Sequence, residues 1–260
     1  MTARDYITVL TVRSPAGAMM TKRLFRATNG AIGKTGYDKA YKFDVRKIGL
    51  NDLADLAEVL FDLRSRPNKV VIRGEPVGGH YDVRRTLEMF HPGEHHWVFL
   101  DFDDVPLPLC IHPDDPDIAL GYLVRLLPES FHDASYYWQW SCGHGINRDS
   151  LRAHLFFWCA TKHSDKEYEN WAKWINGEAN EKLLDPSVFR TVQPNYTSAP
   201  LIAKDVLDPV DPELRCGLFI GAKDEVSITI PSETWEDHVK QLERDEYLEL
   251  AEYGLRAPSM

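Results

Sequence analysis

Asp101 and Asp103, in "HWVFLDFDDV" (96–105), stand one residue apart where an apolar run ends. Alternate side chains of a strand share a face, so the two carboxylates project the same way with Cα atoms about 6.6 Å apart, and Phe102 points into the opposite layer. Acids at a buried strand end are costly unless a cation or hydrogen bonds compensate them. A pair so spaced suits one divalent cation or a bridged pair, and oxygen donors select Mg²⁺ or Mn²⁺ over zinc. Two-ion phosphoryl-transfer sites usually draw a third carboxylate from elsewhere in the chain. Strand-end acids also commonly cap a neighbouring helix, so Asp-x-Asp alone does not define a site.

Further chemistry lies downstream. "RAHLFFW" sets Arg152 and His154 on one face of a strand, where a guanidinium and an imidazole suit a triphosphate. On an apolar strand an isolated histidine is more often a satisfied core residue. "LLDPSVFRTVQPNYTSAP" adds Asp185 at a helix end, followed by Gln193, Asn195 and Tyr196.

The elements that must carry these residues are strands and helices in alternation, as in a mixed α/β (α+β) protein. Strands are predicted at 6–12, 41–49, 69–74, 135–141 and 152–160, and "VSITI" (226–230) is expected to close a sheet. Leu53, Leu56, Leu60 and Leu63 recur at helical spacing within 50–64, with Asn51 or Asp52 as the cap. Helices are also predicted over 116–131, over 164–184 and in the charged stretch from Ser232 to Tyr253. One catalytic domain over 1–231 with an acidic helical extension over 232–260, leading toward a further domain, is the simplest organisation.

The formal charge is −10, against a generally basic nucleic-acid coat, but its distribution is uneven. Residues 1–50 carry ten Lys/Arg against three acids, whereas 232–260 carries three against eight. A basic N-terminal face is therefore expected, although an asymmetric solvated surface has the same signature. The N-terminus lacks a signal-peptide pattern and no apolar run suits a membrane span, so a cytoplasmic protein with no membrane partner is expected. Four scattered cysteines without a CxxC pair signal neither a disulfide framework nor a structural zinc. His91, His95 and His96 are read as ordinary loop histidines. "GAIGKT" (30–35) has two residues where a phosphate loop needs four, and is read as a turn with a basic residue near nucleic acid.

In order, Asp101-x-Asp103, Ser141…Arg152-Ala-His154 and Asp185…Gln193-Pro194-x-Tyr196 resemble the three motifs of the archaeo-eukaryotic primase superfamily. The likeness covers 96–200 and is greatest to the primase-polymerase domains of phage and plasmid replication proteins. It implies an N-terminal α/β unit packed on an RRM-like module, with the active site in the cleft between them. It also implies a nucleotidyltransferase that makes or extends a DNA or RNA strand on single-stranded template. Asp101, Asp103 and Asp185 would be the catalytic ligands of two Mg²⁺ or Mn²⁺ ions. His154 and Arg152 would hold the triphosphate of an incoming NTP or dNTP, with Ser141, Gln193 and Tyr196 beside them. Ser141 lies thirteen residues ahead of His154, farther than the family's second motif usually allows, and the zinc-binding insertion of some members is not evident. A helicase is the partner such domains often precede. Template phosphates would be met by Arg13, Lys22, Arg23, Arg26, Arg73, Arg84, Arg85 and Arg190.

Two other readings remain open. "VFLDFDDV" also resembles the first motif of haloacid dehalogenase-like phosphatases, which would make Asp101 a nucleophile and Asp103 an acid/base, although that family normally opens its Rossmann-like domain with this strand. A non-catalytic RRM-like module would instead bind single strands through Tyr136, Trp138 and Trp140.

Overall fold

A computed structural model describes residues 3–252, with 245–252 described by backbone alone. In chain order the elements are β1 (Asp5–Ser14), β2 (Arg23–Arg26), β3 (Ile32–Lys34), β4 (Lys42–Leu50), α1 (Leu53–Leu63), β5 (Lys69–Ile72), β6 (Glu75–Pro76), β7 (Val83–Arg84), β8 (Phe90–His91), β9 (Glu94–Pro106), α2 (Pro116–Arg125), β10 (Tyr136–Trp140), β11 (Ser150–Ser164), α3 (Asp165–Ala179), β12 (Leu201–Ile202), β13 (Cys216–Phe219) and α4 (Trp235–Glu252). The class is mixed α and β with antiparallel sheets. Residues 253–260 of the expected acidic extension lie outside the described residues.

The first sheet has the order β5-β1-β4-β7 and the second β13-β10-β11-β9. Both β4 and β5 run antiparallel to β1, so they are parallel to each other with β1 between them and α1 as the crossover. The second sheet repeats this device: β9 and β10 flank β11, and α2 connects them. Local sequence explains the helices. Asp52 caps α1 by accepting from the Asp55 N–H, and Leu53, Leu56, Leu60 and Leu63 are buried, each worth about 2 kcal/mol. Ser164 and Glu167 form a reciprocal capping box on α3.

Some boundaries differ from the periodicity. Helix α2 ends at Arg125 rather than running to 131, because Pro128 cannot continue it, and a short 3-10 turn follows at Glu129–Phe131. Helix α3 stops at Ala179, where Asn180 turns left-handed (φ 51°), and the Asn176 amide then ties down Leu183 and Leu184. "VSITI" does not form a strand; only Val226 pairs, as an isolated bridge to Cys159. There the Val226 N–H donates to the Trp158 carbonyl and the Ala160 N–H to the Val226 carbonyl, and the pairing with β11 goes no further.

The two sheets are joined by buried polar contacts. Arg73, fully buried on the chain leaving β5, donates to Asp165 at 2.7 Å and lies over the rings of Trp97 and Tyr168. Thr191 donates to the other Asp165 oxygen at 2.7 Å. His95 and His96 are strand residues of β9 rather than loop residues; the His95 ring spans Asp5 Oδ1 (3.0 Å) and the Arg73 carbonyl (2.9 Å).

Burial pushes the Asp5 carboxyl up, but His95 and the Tyr6 and His96 N–H groups outweigh it and hold the pKa below the usual range. Asp5 therefore adds stability that is present above its unfolded value of about 3.9 and lost as the pH falls through its lower folded value. Asp5→Asn is expected to flatten the acid side of the unfolding free-energy profile, measured by urea denaturation between about pH 2 and 5. An unchanged acid limb would contradict this role.

Candidate active site

One face of the second sheet builds the site. His154 on β11 stands directly across from Asp101 on β9, and Gln139 on β10 stands across from His154, so all three share that face. The ladder then slips: Leu151 pairs with Val105 and Ala153 with Phe102, which leaves Arg152 opposite both Asp103 and Asp104. Asp104 takes a left-handed conformation (φ 59°) at this irregularity. Arg152 thereby pairs with both acids, at 2.6 Å from Nη1 to Asp104 Oδ2 and in a close ion pair with Asp103. Asp104 faces solvent and also anchors Arg152.

The third acid arrives through a pairing that spans the two sheets. Leu184 bridges Phe102, and the Asp185 N–H donates to the Asp101 carbonyl at 3.1 Å, so Asp185 lies alongside Asp101 at the free edge of β9. The chain then makes a 3-10 turn at Pro186–Phe189 and returns to the first sheet, where Asn195 exchanges backbone hydrogen bonds with Val71. This staple closes a cleft of about 190 Å³. Asp101, Asp103, Asp185, Arg152, His154, Ser141, Gln193 and Tyr196 all line it. Ser141, remote from His154 in sequence, reaches the cleft because its N–H bonds the Arg152 carbonyl across the β10–β11 turn.

Two further side chains line the cleft from the N-terminal part of the chain, Lys22 and Tyr37. Lys22 is one of the expected template contacts. Tyr37 stacks on Tyr196 with centroids 3.4 Å apart and planes at 4°, and Lys22 Nζ stands 4.9 Å from its ring. No local pattern in "KTGYDKAY" marks that tyrosine.

Electrostatics favour an ionised Asp101. Burial pushes the Asp101 carboxyl up, but His154 first, then Arg152 and Lys22, hold it below the usual carboxylate range. His154 Nε2 lies 3.4 Å from Asp101 Oδ1, and Nδ1 accepts from the Gln139 amide at 3.1 Å. This leaves the ring proton of neutral His154 on Nε2, facing the cleft.

The donor set suits a hard divalent cation, since three carboxylates line one water-accessible cleft. In this arrangement each is otherwise engaged: Asp101 by His154, Asp103 by Arg152, and Asp185 by the Ser187 N–H at 3.0 Å. Among the described residues no three His, Cys, Asp or Glu side chains form a ready-made metal cage. Cation binding at Asp103 would therefore exchange with Arg152.

The expected basic contacts are mostly committed elsewhere. Arg73, expected to meet template phosphate, is instead fully buried between aromatic rings and cannot reach one. Arg13 pairs with Asp44, Arg23 with Asp38 and Arg190 with Glu169. Arg26 donates to the Asp205 and Gly30 carbonyls, and half-buried Arg85 to that of Val192. Arg84 is exposed on β7, opposite Lys42.

Neither alternative finds its requirements. Tyr136, Trp138 and Trp140 are buried, on the sheet face away from Asp101, and offer no open stacking platform. The strand carrying Asp101 pairs antiparallel with β11, whereas a Rossmann-like sheet is built on parallel neighbours. No family model matches this chain, and no curated protein matches it. Among the described residues no helix is long and apolar enough to cross a membrane.

Proposed function

We propose that the chain is a template-dependent nucleotidyltransferase of the primase-polymerase type. The observation that carries this reading is the convergence of Asp101, Asp103, Arg152, His154 and Asp185 on one cleft from three separate stretches of chain. The order β10-β11-β9, with α2 and α3 as connections and Leu184 pairing at the outer edge of β9, matches that of an RRM-like module and supports the same reading.

Mg²⁺ or Mn²⁺ held by Asp101, Asp103 and Asp185 would supply activation of a 3′-hydroxyl and neutralisation of phosphate charge. The remaining work belongs to the chain. His154 donates its Nε2 proton to a phosphate oxygen, with the ring orientation set by Gln139. Arg152 turns from Asp103 to the triphosphate as a planar double donor. The Asp101 carboxylate keeps its negative charge because His154, Arg152 and Lys22 oppose the cost of burial. Catalysis thus rests on positioning and charge, with no covalent intermediate on the protein. Single-stranded DNA is the proposed template and a replicative helicase the proposed partner.

The test is incubation with single-stranded template, with and without an annealed primer, NTPs or dNTPs, and Mg²⁺ or Mn²⁺. Template-dependent extension is the expected result. Release of phosphate from small esters without template, or strand binding with no turnover under any of these conditions, would refute the proposal.

A further inference from the structure

The run "VSITI" (226–230) keeps the pattern of a strand without the pairing of one. Val226 and Ile228 are buried and Ile230 packs against the core, whereas Ser227 and Thr229 are exposed, the period-2 burial of a half-covered strand. Beyond the Val226 bridge, no backbone N–H or C=O of residues 227–230 makes a hydrogen bond among the described residues. A strand-patterned backbone with open donors and acceptors is a template for another strand.

A groove runs beside it. Ser227, Ile228 and Thr229 line this groove together with Trp171, Trp174 and Ile175 of α3, and its volume of about 600 Å³ is three times that of the carboxylate cleft. Its aromatic part is already in place: the Trp174 Nε1–H donates to the Glu233 carbonyl at 3.1 Å, and the ring meets Trp235 edge-on at 5.1 Å. Two carboxylates, Glu178 and Glu233, line the groove, and no Lys or Arg does. Glu178 is exposed, with no hydrogen bond or ion pair among the described residues, and Glu233 faces His238 at 3.1 Å. The stretch that follows, 232–260, carries eight acids against three basic residues.

We propose that this groove docks an extended segment of a partner protein in which apolar residues alternate with Lys or Arg. The segment lies alongside 227–230 as an added strand and takes main-chain hydrogen bonds from the open backbone. Its apolar side chains seat on Trp171, Trp174 and Ile175, while the alternate cations on its other face reach Glu178 and Glu233. Backbone pairing supplies affinity, and the acidic rim selects the sign of the partner's charge. A second copy of this chain is the poorer occupant, since its formal charge is −10 and its own acidic stretch starts at the groove. Docking here is independent of nucleotidyl transfer.

The test titrates the full chain into a short fluorescein-labelled peptide of alternating Lys and Ile, read by anisotropy. The same peptide with every backbone amide N-methylated, and one of alternating Glu and Ile, serve as controls. The Lys–Ile peptide is expected to bind with a Kd of tens of micromolar, roughly, and N-methylation should weaken it at least tenfold. Glu178→Lys should weaken the Lys–Ile peptide about tenfold and favour the Glu–Ile peptide instead. A cation near the C-terminal end of α3 suits the helix dipole, so this variant is expected to fold. The same reversal at Glu88, exposed between β7 and β8, should have no effect. Absence of Lys–Ile binding, equal binding of the N-methylated peptide, or equal losses at Glu178 and Glu88 would overturn the docking site. Sedimentation of wild type as a dimer that Glu178→Lys disrupts would also overturn it, by giving the groove to a second copy.

Discussion

Asp101→Asn is expected to lower template-dependent extension roughly a thousandfold, the scale of removing one group aimed at developing charge. The substitution keeps the size of the side chain and an oxygen to accept from His154 Nε2, now 3.4 Å from the carboxylate, while the Asp185 N–H still reaches the Asp101 carbonyl. The unfolding midpoint should therefore move by no more than about 4 °C, the shift from 1 kcal/mol in a chain of this size. Asp104→Asn offers the contrast. Its carboxylate faces solvent, accepting from Ser150 and pairing with Arg152, so the expected loss is about tenfold or less, carried mainly by nucleotide KM. Single-turnover extension rates with both variants decide the matter. A loss below tenfold for Asp101→Asn, or equal losses in the two variants, would remove Asp101 from the reaction.

Arg73→Met should destabilise the fold by about 3–5 kcal/mol, because it strands the buried Asp165 carboxylate with Thr191 as its remaining side-chain donor. Thermal unfolding should fall by about 10 °C. At a temperature where the variant is folded, its single-strand affinity should equal that of wild type, since no phosphate reaches a guanidinium enclosed by Trp97, Tyr168 and Phe189. Combining Arg73→Met with Asp165→Asn should recover part of the loss, because the amide retains an acceptor for Thr191 and leaves no unpaired charge. Weaker strand binding at unchanged stability would instead make Arg73 a template contact.

Much of the fold was legible because its long elements have strong local patterns. Helix α1 follows from its leucine spacing and Asp52, and β9, β10 and β11 from apolar runs of β-branched and aromatic residues. The short pairings were not. Strand β12 has two residues and joins β2 from nearly 180 positions away, and the Leu184 and Asn195 bridges are single contacts. No window of sequence contains both partners of such a pair. "VSITI" errs in the other direction, having strand-like composition without a neighbouring strand to bond beyond Val226.

The candidate site divides along the same line. The alternation that puts Asp101 with Asp103, and Arg152 with His154, is a period-2 property of each strand and could be read directly from residue order. Which strands stand side by side, and in what register, is set by packing over long distances. That packing placed His154 against Asp101, slipped the ladder so that Arg152 spans Asp103 and Asp104, and brought Lys22 and Tyr37 to a cleft whose acids lie at least 60 residues further along the chain. It also took Arg73 out of solvent altogether. Side-chain chemistry and local periodicity belong to the sequence, whereas charge pairing and access depend on burial, which only the assembled sheets determine.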